Sequence, residues 1–314
     1  MKAIVLTEAG GPENLQMQEL PTPQPKEGEV LVKVHAFSIN PVDIKTRKGG
    51  GLLAGMKESA PVILGWDISG VVEAVGANVH GFREGDAVFG MVNFPGNGKA
   101  YAEYVAAPAA HLALKPAAIS HEEAAATTLA ALTAWQVLTQ QAGLQKGQRV
   151  LIHAAAGGVG HFAVQMAKYL GASVTGTASA ENKDFLLALG VDQFIDYTKE
   201  EVANAVNDAD VVLDPLGGET TVKSLQTLKP GGTLVSIVGG AKEPVQQQAK
   251  EKGVTAKNYL VHSRGEDMAR MATLLEDGFL KPTVSHIYTF AQIAEAHRQI
   301  ETGKTRGKIV VQIG

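Results

Sequence analysis

The sequence contains no cysteine. Disulfides, a thiolate nucleophile and every zinc site built on sulfur ligands are thereby excluded. An excess of one charge is also missing. Lys and Arg number 28 against 32 Asp and Glu, a formal net charge of −4 over 314 residues, which argues against charge-driven nucleic-acid binding. Long apolar runs are lacking too. The run after Lys2 holds about six residues, short of the ~7–15 of a signal peptide. The longest uncharged stretch, 124–145, carries Thr127, Thr128, Thr133, Thr139 and four glutamines and reads as a pair of soluble helices. A cytoplasmic location is expected, and no repeat, low-complexity tract or charge run stands out. Hydrophobic residues make up 45% and charged residues 19%, a globular composition, and the length suggests about two domains. Glycine is abundant, 35 of 314 residues against a usual ~7%. That points to tight turns and to backbone that approaches a ligand closely.

Up to about residue 115 the chain reads as all-β. Short apolar or alternating runs at 3–6, 30–36, 70–75, 87–92 and 101–106 lie between turn signals such as Gly10-Gly11, Gly49-Gly50-Gly51 and Gly85-Asp86. The Gly- and Val-rich stretch 65–88 suits strands crossing closely in a small barrel. Near Ser120 the texture changes. Ser120-His121-Glu122-Glu123 has the form of an N-cap followed by an acidic first turn. Beyond it, strands expected at 149–154, 173–177, 193–196, 210–213 and 233–238 alternate with helices, including 159–170 and 182–189. Such an order implies βαβ units and a parallel sheet. The tail reads as a helix (267–276), a strand (284–290), a helix (291–301) and a last strand (308–313).

The strongest motif is Ala154-Ala155-Ala156-Gly157-Gly158-Val159-Gly160. It follows a strand and opens a helix in which Val159, Phe162, Ala163, Met166, Ala167 and Leu170 share one face. Strand, glycine turn, amphipathic helix and second strand together form the context of dinucleotide binding. Small residues let the backbone approach a pyrophosphate, and the helix N-terminus supplies amides and a positive dipole end. Ala156, Gly157, Gly158, Val159 and Gly160 are therefore assigned to the cofactor. The first position of the pattern, usually Gly, is Ala155. Between 172 and 180 there is no Asp or Glu, although an NAD-binding chain carries one there to hold the ribose hydroxyls. Thr177, Ala178 and Ser179 occupy that place and Lys183 follows. A carboxylate would repel a 2′-phosphate, whereas Ser179 and Lys183 would accept one, so NADP(H) is the expected cofactor. His153, just before the loop, reads as structural.

Several stretches carry a resemblance that covers essentially the whole chain. They are Ser38-Ile39-Asn40-Pro41-Val42-Asp43-Ile44-Lys45, Gly65-Trp66-Asp67-Ile68-Ser69-Gly70-Val71-Val72, Leu132-Thr133-Ala134-Trp135, the glycine loop, Asp196-Tyr197, Pro230-Gly231-Gly232 and Gly307-Lys308-Ile309-Val310. In this order they resemble the medium-chain dehydrogenase/reductase superfamily, in its zinc-free quinone oxidoreductase branch. The resemblance implies an α/β chain: a GroES-like β-barrel catalytic domain from residues 1–121 and 263–314, and a doubly wound parallel-sheet Rossmann domain for NADP(H) over 122–262. It also implies a homodimer. It places Thr133 near the nicotinamide carboxamide and Tyr197 near the adenine ribose phosphate, and Val238, at the end of the 233–238 strand, joins the cofactor set. Zinc alcohol dehydrogenases of the superfamily bind metal through a cysteine near position 40 and a Gly-His-Glu segment near 65. Here those places hold Asn40 and Gly65-Trp66-Asp67, so a metal-free, zinc-independent enzyme is expected.

The chemistry implied is hydride transfer from NADPH to a quinone or an α,β-unsaturated carbonyl. Negative charge builds on the acceptor oxygen, and hydrogen-bond donors must meet it. Asn40 and Lys45 are the candidates, in a segment that the resemblance places beside the nicotinamide. Many relatives carry Tyr at the position of Lys45, while a subset acting on conjugated carbonyls carries Lys. Asp43 and Asp67 read as turn or barrel hydrogen bonds, and Trp66 and Trp135 as packing residues. No tyrosine lies between 40 and 45 to protonate the α-carbon of an enone. Quinones therefore rank first as acceptors, with enones close behind. Two alternatives stay open: enone double-bond reduction as the main activity, and a catalytically idle NADPH-binding protein, since relatives serve as lens crystallins. Loops around 50–60, 91–97 and 240–260 are expected to line the substrate pocket.

Overall fold

A computed structural model describes residues 1–56 and 60–313. Of the 50–60 loop expected to line the pocket, residues 57–59 lie outside the described residues. The chain divides into two compact units, Met1–Leu132 with His262–Gly314, and Thr133–Val261.

In the first unit β1 (Lys2–Leu6) pairs antiparallel with β2 (Leu15–Glu19). The long β3 (Glu29–Ile39) leads into α1 (Pro41–Arg47) and α2 (Leu53–Met56). Then come β4 (Asp67–Val75), β5 (Ala87–Met91), β6 (Tyr104–Pro108), β7 (Leu112–Leu114), α3 (His121–Ala126) and α4 (Leu129–Trp135), whose residues from Thr133 on belong to the second unit. β3 pairs with β4 along its length, and with β6 through its first half. It runs three residues past the expected 30–36 span because Phe37, Ser38 and Ile39 are buried and pair with a strand from the chain's end, Phe37 and Ser38 with β4 as well. Gly70 faces the backbone of β3 so closely that a Cβ there would lie 2.0 Å from the Lys33 carbonyl oxygen. This is the close strand crossing expected from the Gly-rich 65–88 stretch.

The expected boundary at 121/122 does not match the division of the chain. α3 begins as expected at a Ser120 capping box with Glu123, but it belongs to the first unit. Its Ala125 and Ala126 pack on Ala36 of β3 and on Val310 near the C-terminus.

The second unit opens with β8 (Arg149–Ile152), α5 (Gly158–Tyr169), β9 (Ser173–Ala178), α6 (Lys183–Ala188) and β10 (Gln193–Asp196). It continues through α7 (Val202–Ala205), β11 (Ala209–Asp214), α8 (Gly218–Ser224), β12 (Leu228–Ser236), α9 (Glu243–Glu251) and β13 (Thr255–Asn258). All six strands are parallel, in the order β10-β9-β8-β11-β12-β13. In chain order that is 3-2-1-4-5-6, a doubly wound sheet whose direction of growth reverses between β8 and β11. The expected one-sided helix after the loop is buried nearly all round, with His161, Val164 and Gln165 inside as well as Phe162, Ala163, Met166 and Ala167. The 149–154 strand stops at Ile152, because Ala154 takes a left-handed turn (φ 46°) that starts the loop.

The first unit is completed by α10 (Gly265–Glu276), β14 (Val284–Thr289), α11 (Ile293–Glu301) and β15 (Lys308–Gln312). β15 pairs antiparallel with β3 and parallel with β14. Among the described residues, no helix is long and apolar enough to cross a membrane.

Candidate active site

The glycine loop leaves the carboxyl end of β8, at the reversal point of the sheet. Its backbone is tied to β9 by the Ala155 amide, which donates to the Thr177 carbonyl (2.9 Å). A Cβ on Gly160 would lie 2.3 Å from the Ala154 oxygen and 2.7 Å from the Ala155 Cα, so only glycine lets the first turn of α5 sit against the loop. Ala155, standing where the pattern usually has glycine, is accommodated by Gly176 of β9: a Cβ built there would already be 3.1 Å from the Ala155 methyl. α5 starts from Gly157, and no side-chain oxygen caps its first-turn amides. Amides in that position suit an outside anion, as the phosphates of a dinucleotide require.

Of the other expected cofactor residues, Thr133 lies buried inside α4, and the rest follow the carboxyl ends of strands. Ser179 follows β9, and Lys183 opens α6 as an exposed residue. The Ser179 hydroxyl donates to the Glu181 carboxylate (3.1 Å) and accepts from the Asn182 amide (3.1 Å). The acid-free stretch 172–180 therefore did not exclude a carboxylate at this corner, because Glu181 reaches back from just beyond it. Thr177 turns inward, its hydroxyl 3.3 Å from Nδ1 of His153. The other ring nitrogen of His153 is 2.8 Å from the Ser224 hydroxyl. Burial lowers the pKa of this histidine, which bridges β8, β9 and α8 as an internal strut. Tyr197, after β10, is 59% exposed, and Val238, after β12, is partly exposed beside Gly217. Asp214, at the end of β11, shapes the neighbouring loop by accepting from the Leu216 and Gly217 amides and the Thr221 hydroxyl.

In the first unit, Asn40 caps α1 and Pro41 follows it, a favoured helix start. The Asp43 carboxylate accepts from the Asn40 amide (2.6 Å). Asn40 and Lys45 share this element but face differently. Lys45 is exposed. Asn40 is 1% exposed, and its side chain is directed into the fold: Nδ2 donates to Asp67 (2.7 Å), and Oδ1 accepts from Lys308. Asn40, expected as a donor to substrate, thus has its amide nitrogen on a buried carboxylate. Lys45 remains the outward-facing donor of the pair.

Sequence reasoning missed the surroundings of Asn40. Asp67 also accepts from the Ser38 hydroxyl (2.6 Å) and the Leu129 amide (3.0 Å). Lys308 Nζ donates to the Ile39 carbonyl (3.1 Å) and pairs with Asp67 at 3.6 Å. Burial lowers the Lys308 pKa while Asp67 opposes the shift. Nearby, the buried Arg47 holds the Gly10 carbonyl (2.8 Å) and Glu301 (2.7 Å). Asp43 Oδ1 has no hydrogen-bond partner, and burial pushes this carboxyl up to about 8. Tyr101 meets Nε2 of His297 at 3.1 Å, and burial followed by Arg47 takes His297 down to about 3. The available signal was Lys308 itself, a charge heading the apolar run Lys308–Gln312. Trp66 is a packing residue as expected, fully buried with its indole N–H on the Gly96 carbonyl (2.7 Å).

A doubly wound sheet with a glycine loop at its reversal point defines a dinucleotide-binding protein. The comparisons sharpen that class. Residues 26–117 match the alcohol dehydrogenase GroES-like domain family, and residues 189–311 match the zinc-binding dehydrogenase family. The chain is 35% identical to a 2-methylene-furan-3-one reductase of Solanum lycopersicum, over 99% of this chain and 79% of that protein. A quinone oxidoreductase from Coxiella burnetii has the same fold with a TM-score of 0.94 and 38% identity, covering 100% of this chain and 99% of that one. The Escherichia coli quinone oxidoreductase complexed with NADPH aligns with a TM-score of 0.88 and 29% identity, over 99% and 100% of the two chains. The chain belongs to the medium-chain dehydrogenase/reductase superfamily, in its zinc-free quinone oxidoreductase branch. One of the matched families is named for zinc, yet Asn40 and Trp66 supply no ligand of the Cys or His type where zinc enzymes of the superfamily hold metal.

Proposed function

We propose that the protein is a zinc-independent, NADPH-dependent oxidoreductase that delivers hydride to quinones or α,β-unsaturated carbonyls. The observation that carries this reading is the uncapped α5 N-terminus at the sheet's reversal point, in a chain similar over its whole length to reductases of such acceptors. NADPH, when bound, supplies the hydride from its C4 carbon. The backbone of Ala156, Gly157, Gly158, Val159 and Gly160 holds the pyrophosphate. Ser179 and Lys183 hold the 2′-phosphate, with the Ser179 hydroxyl released from Glu181. Thr133 orients the carboxamide, while Tyr197 and Val238 border the adenosine and nicotinamide ends. Lys45 meets the negative charge that develops on the acceptor oxygen, and Asn40 keeps the start of α1 in place. A conjugated acceptor spreads that charge into an enolate or hydroquinone anion, which a lysine can stabilise without a metal Lewis acid. The balancing proton comes from water.

The test is NADPH consumption with a simple quinone, a short enone, and matched saturated ketones and alcohols. Conjugated acceptors are expected to turn over and saturated ones to lag far behind. Faster reduction of saturated ketones would overturn the reading, and binding without any turnover would favour an idle cofactor-binding role. The domain roles proposed are catalysis in the unit built from both chain ends and cofactor binding in the inserted unit. A homodimer in the cytoplasm belongs to the same proposal and rests on the family resemblance. Sedimentation and cell fractionation check these two points.

A further inference from the structure

Four segments far apart in sequence meet on two buried charges. Asp67, the first residue of β4, is 0% exposed, and Lys308, the first residue of β15, is 3% exposed. The carboxylate takes the Ser38 hydroxyl, the Asn40 amide and the Lys308 ammonium on one oxygen, and the Leu129 backbone N–H on the other. The ammonium faces three acceptors: the Ile39 carbonyl, Asn40 Oδ1 and Asp67. The ammonium thus gives two hydrogen bonds and one ion pair, and the carboxylate accepts three hydrogen bonds beside that ion pair.

A buried ion pair adds little net stability, because lost hydration offsets the attraction, and an apolar pair could fill the same volume. An apolar pair could not hold these partners in fixed directions. The partners are informative. Asn40 is the cap of α1, the helix that carries Lys45. Leu129 is the first residue of α4, the helix that carries Thr133 one turn later. We propose that the Asp67–Lys308 pair is a positioning device that fixes the starts of α1 and α4, and through them Lys45 and Thr133. The roles of Lys45 and Thr133 rest on the proposed function; the anchoring of the two helices does not.

The test is the charge-free double variant Asp67→Asn with Lys308→Met. Met is unbranched and nearly as long as Lys but donates nothing, and the single amide oxygen of Asn can serve either the donors of Ser38 and Asn40 or the Leu129 N–H, not both. Hydrogen exchange on the cofactor-free protein reads the anchoring directly. Amides of residues 40–47 and of Leu129 are expected to exchange about tenfold faster than in the wild type, while those of β4 and β15 keep their protection. With a good conjugated acceptor, kcat is expected to fall about tenfold to a hundredfold, and the NADPH Kd, by fluorescence titration, to rise by less than kcat falls, because the glycine loop is untouched. Wild-type exchange at α1 and α4 together with wild-type kcat would overturn the proposal. If the double variant does not fold, Ser38→Ala removes one donor and keeps both charges. A loss of about threefold in kcat at unchanged NADPH Kd is then expected, and an unchanged kcat overturns the proposal. A wild-type protein that reduces no conjugated acceptor defeats the functional reading, and the exchange experiment still judges the anchor.

Discussion

Asp43 lies fully buried in α1, and burial pushes its carboxyl from 3.8 up to about 8. The folded state thus keeps a proton that the unfolded chain releases above its ordinary value. Stability from this group is complete below pH 3.8 and is lost as pH rises toward 8. His121 and His297 act in the opposite sense, with folded values lowered to about 4 and about 3. They cost stability only as pH falls below their ordinary 6.5, so between 6.5 and 8 Asp43 acts without them. The urea midpoint is expected to fall across that window, and Asp43→Asn to remove the slope; a flat wild-type profile would contradict the assignment. At the 2′-phosphate corner, Glu181 holds the Ser179 hydroxyl. Lys183→Ala is expected to weaken NADPH binding about tenfold with little effect on NADH. Glu181→Gln, which removes a repelling carboxylate, is expected to strengthen NADPH binding about threefold. Fluorescence titration with both cofactors measures this, and an unchanged NADPH-to-NADH ratio in Glu181→Gln would place the carboxylate away from the phosphate. The sequence singles out Asn40, but not the direction of its side chain. Its partner Lys308 lies 268 positions away, beyond the reach of any local pattern.

At the scale of elements, periodicity located five of the six parallel-sheet strands, whereas β13 was not among them and β12 starts earlier than the expected 233–238. The 193–196 span coincides with β10, and the helix after the glycine loop starts one residue earlier than expected. Local pattern failed where tertiary contacts decide. β2 is largely exposed and has no apolar stripe to announce it, and β3 runs on because both its neighbours continue to pair with it. α1 was not identified as a helix, being only seven residues long and carrying buried Asp43 and Arg47 among its apolar positions. The junction between β8 and α5 is the element on which cofactor binding depends. Gly160→Ala forces a methyl to within 2.3 Å of the Ala154 oxygen, and the helix start must move. A loss of about 1–3 kcal/mol in stability is expected, along with NADPH binding too weak to saturate. Thermal unfolding and cofactor titration check both, and a variant that binds NADPH as the wild type does would show that the loop tolerates a side chain.

Across the whole molecule, the change of texture near Ser120 marked the passage from β-rich to alternating sequence, and the six-stranded parallel sheet followed from it. The position of the division did not. The alanines of α3 announce a helix, but nothing in a run of small residues says which sheet it covers, and Ala125 and Ala126 cover the barrel strands. The glycine loop of the second unit was legible, because a contiguous motif carries it. The cluster of the first unit was poorly legible, because Ser38, Asn40, Asp67, Leu129 and Lys308 come together only in the fold. The central claim is hydride delivery from NADPH to a conjugated acceptor. It is tested most directly by reducing a short enone with NADPH fully deuterated at C4 and locating the label in the product by NMR. The account expects deuterium on the β-carbon, with a solvent proton on the α-carbon and the carbonyl intact. Deuterium on the carbonyl carbon, or a product without label, would contradict it.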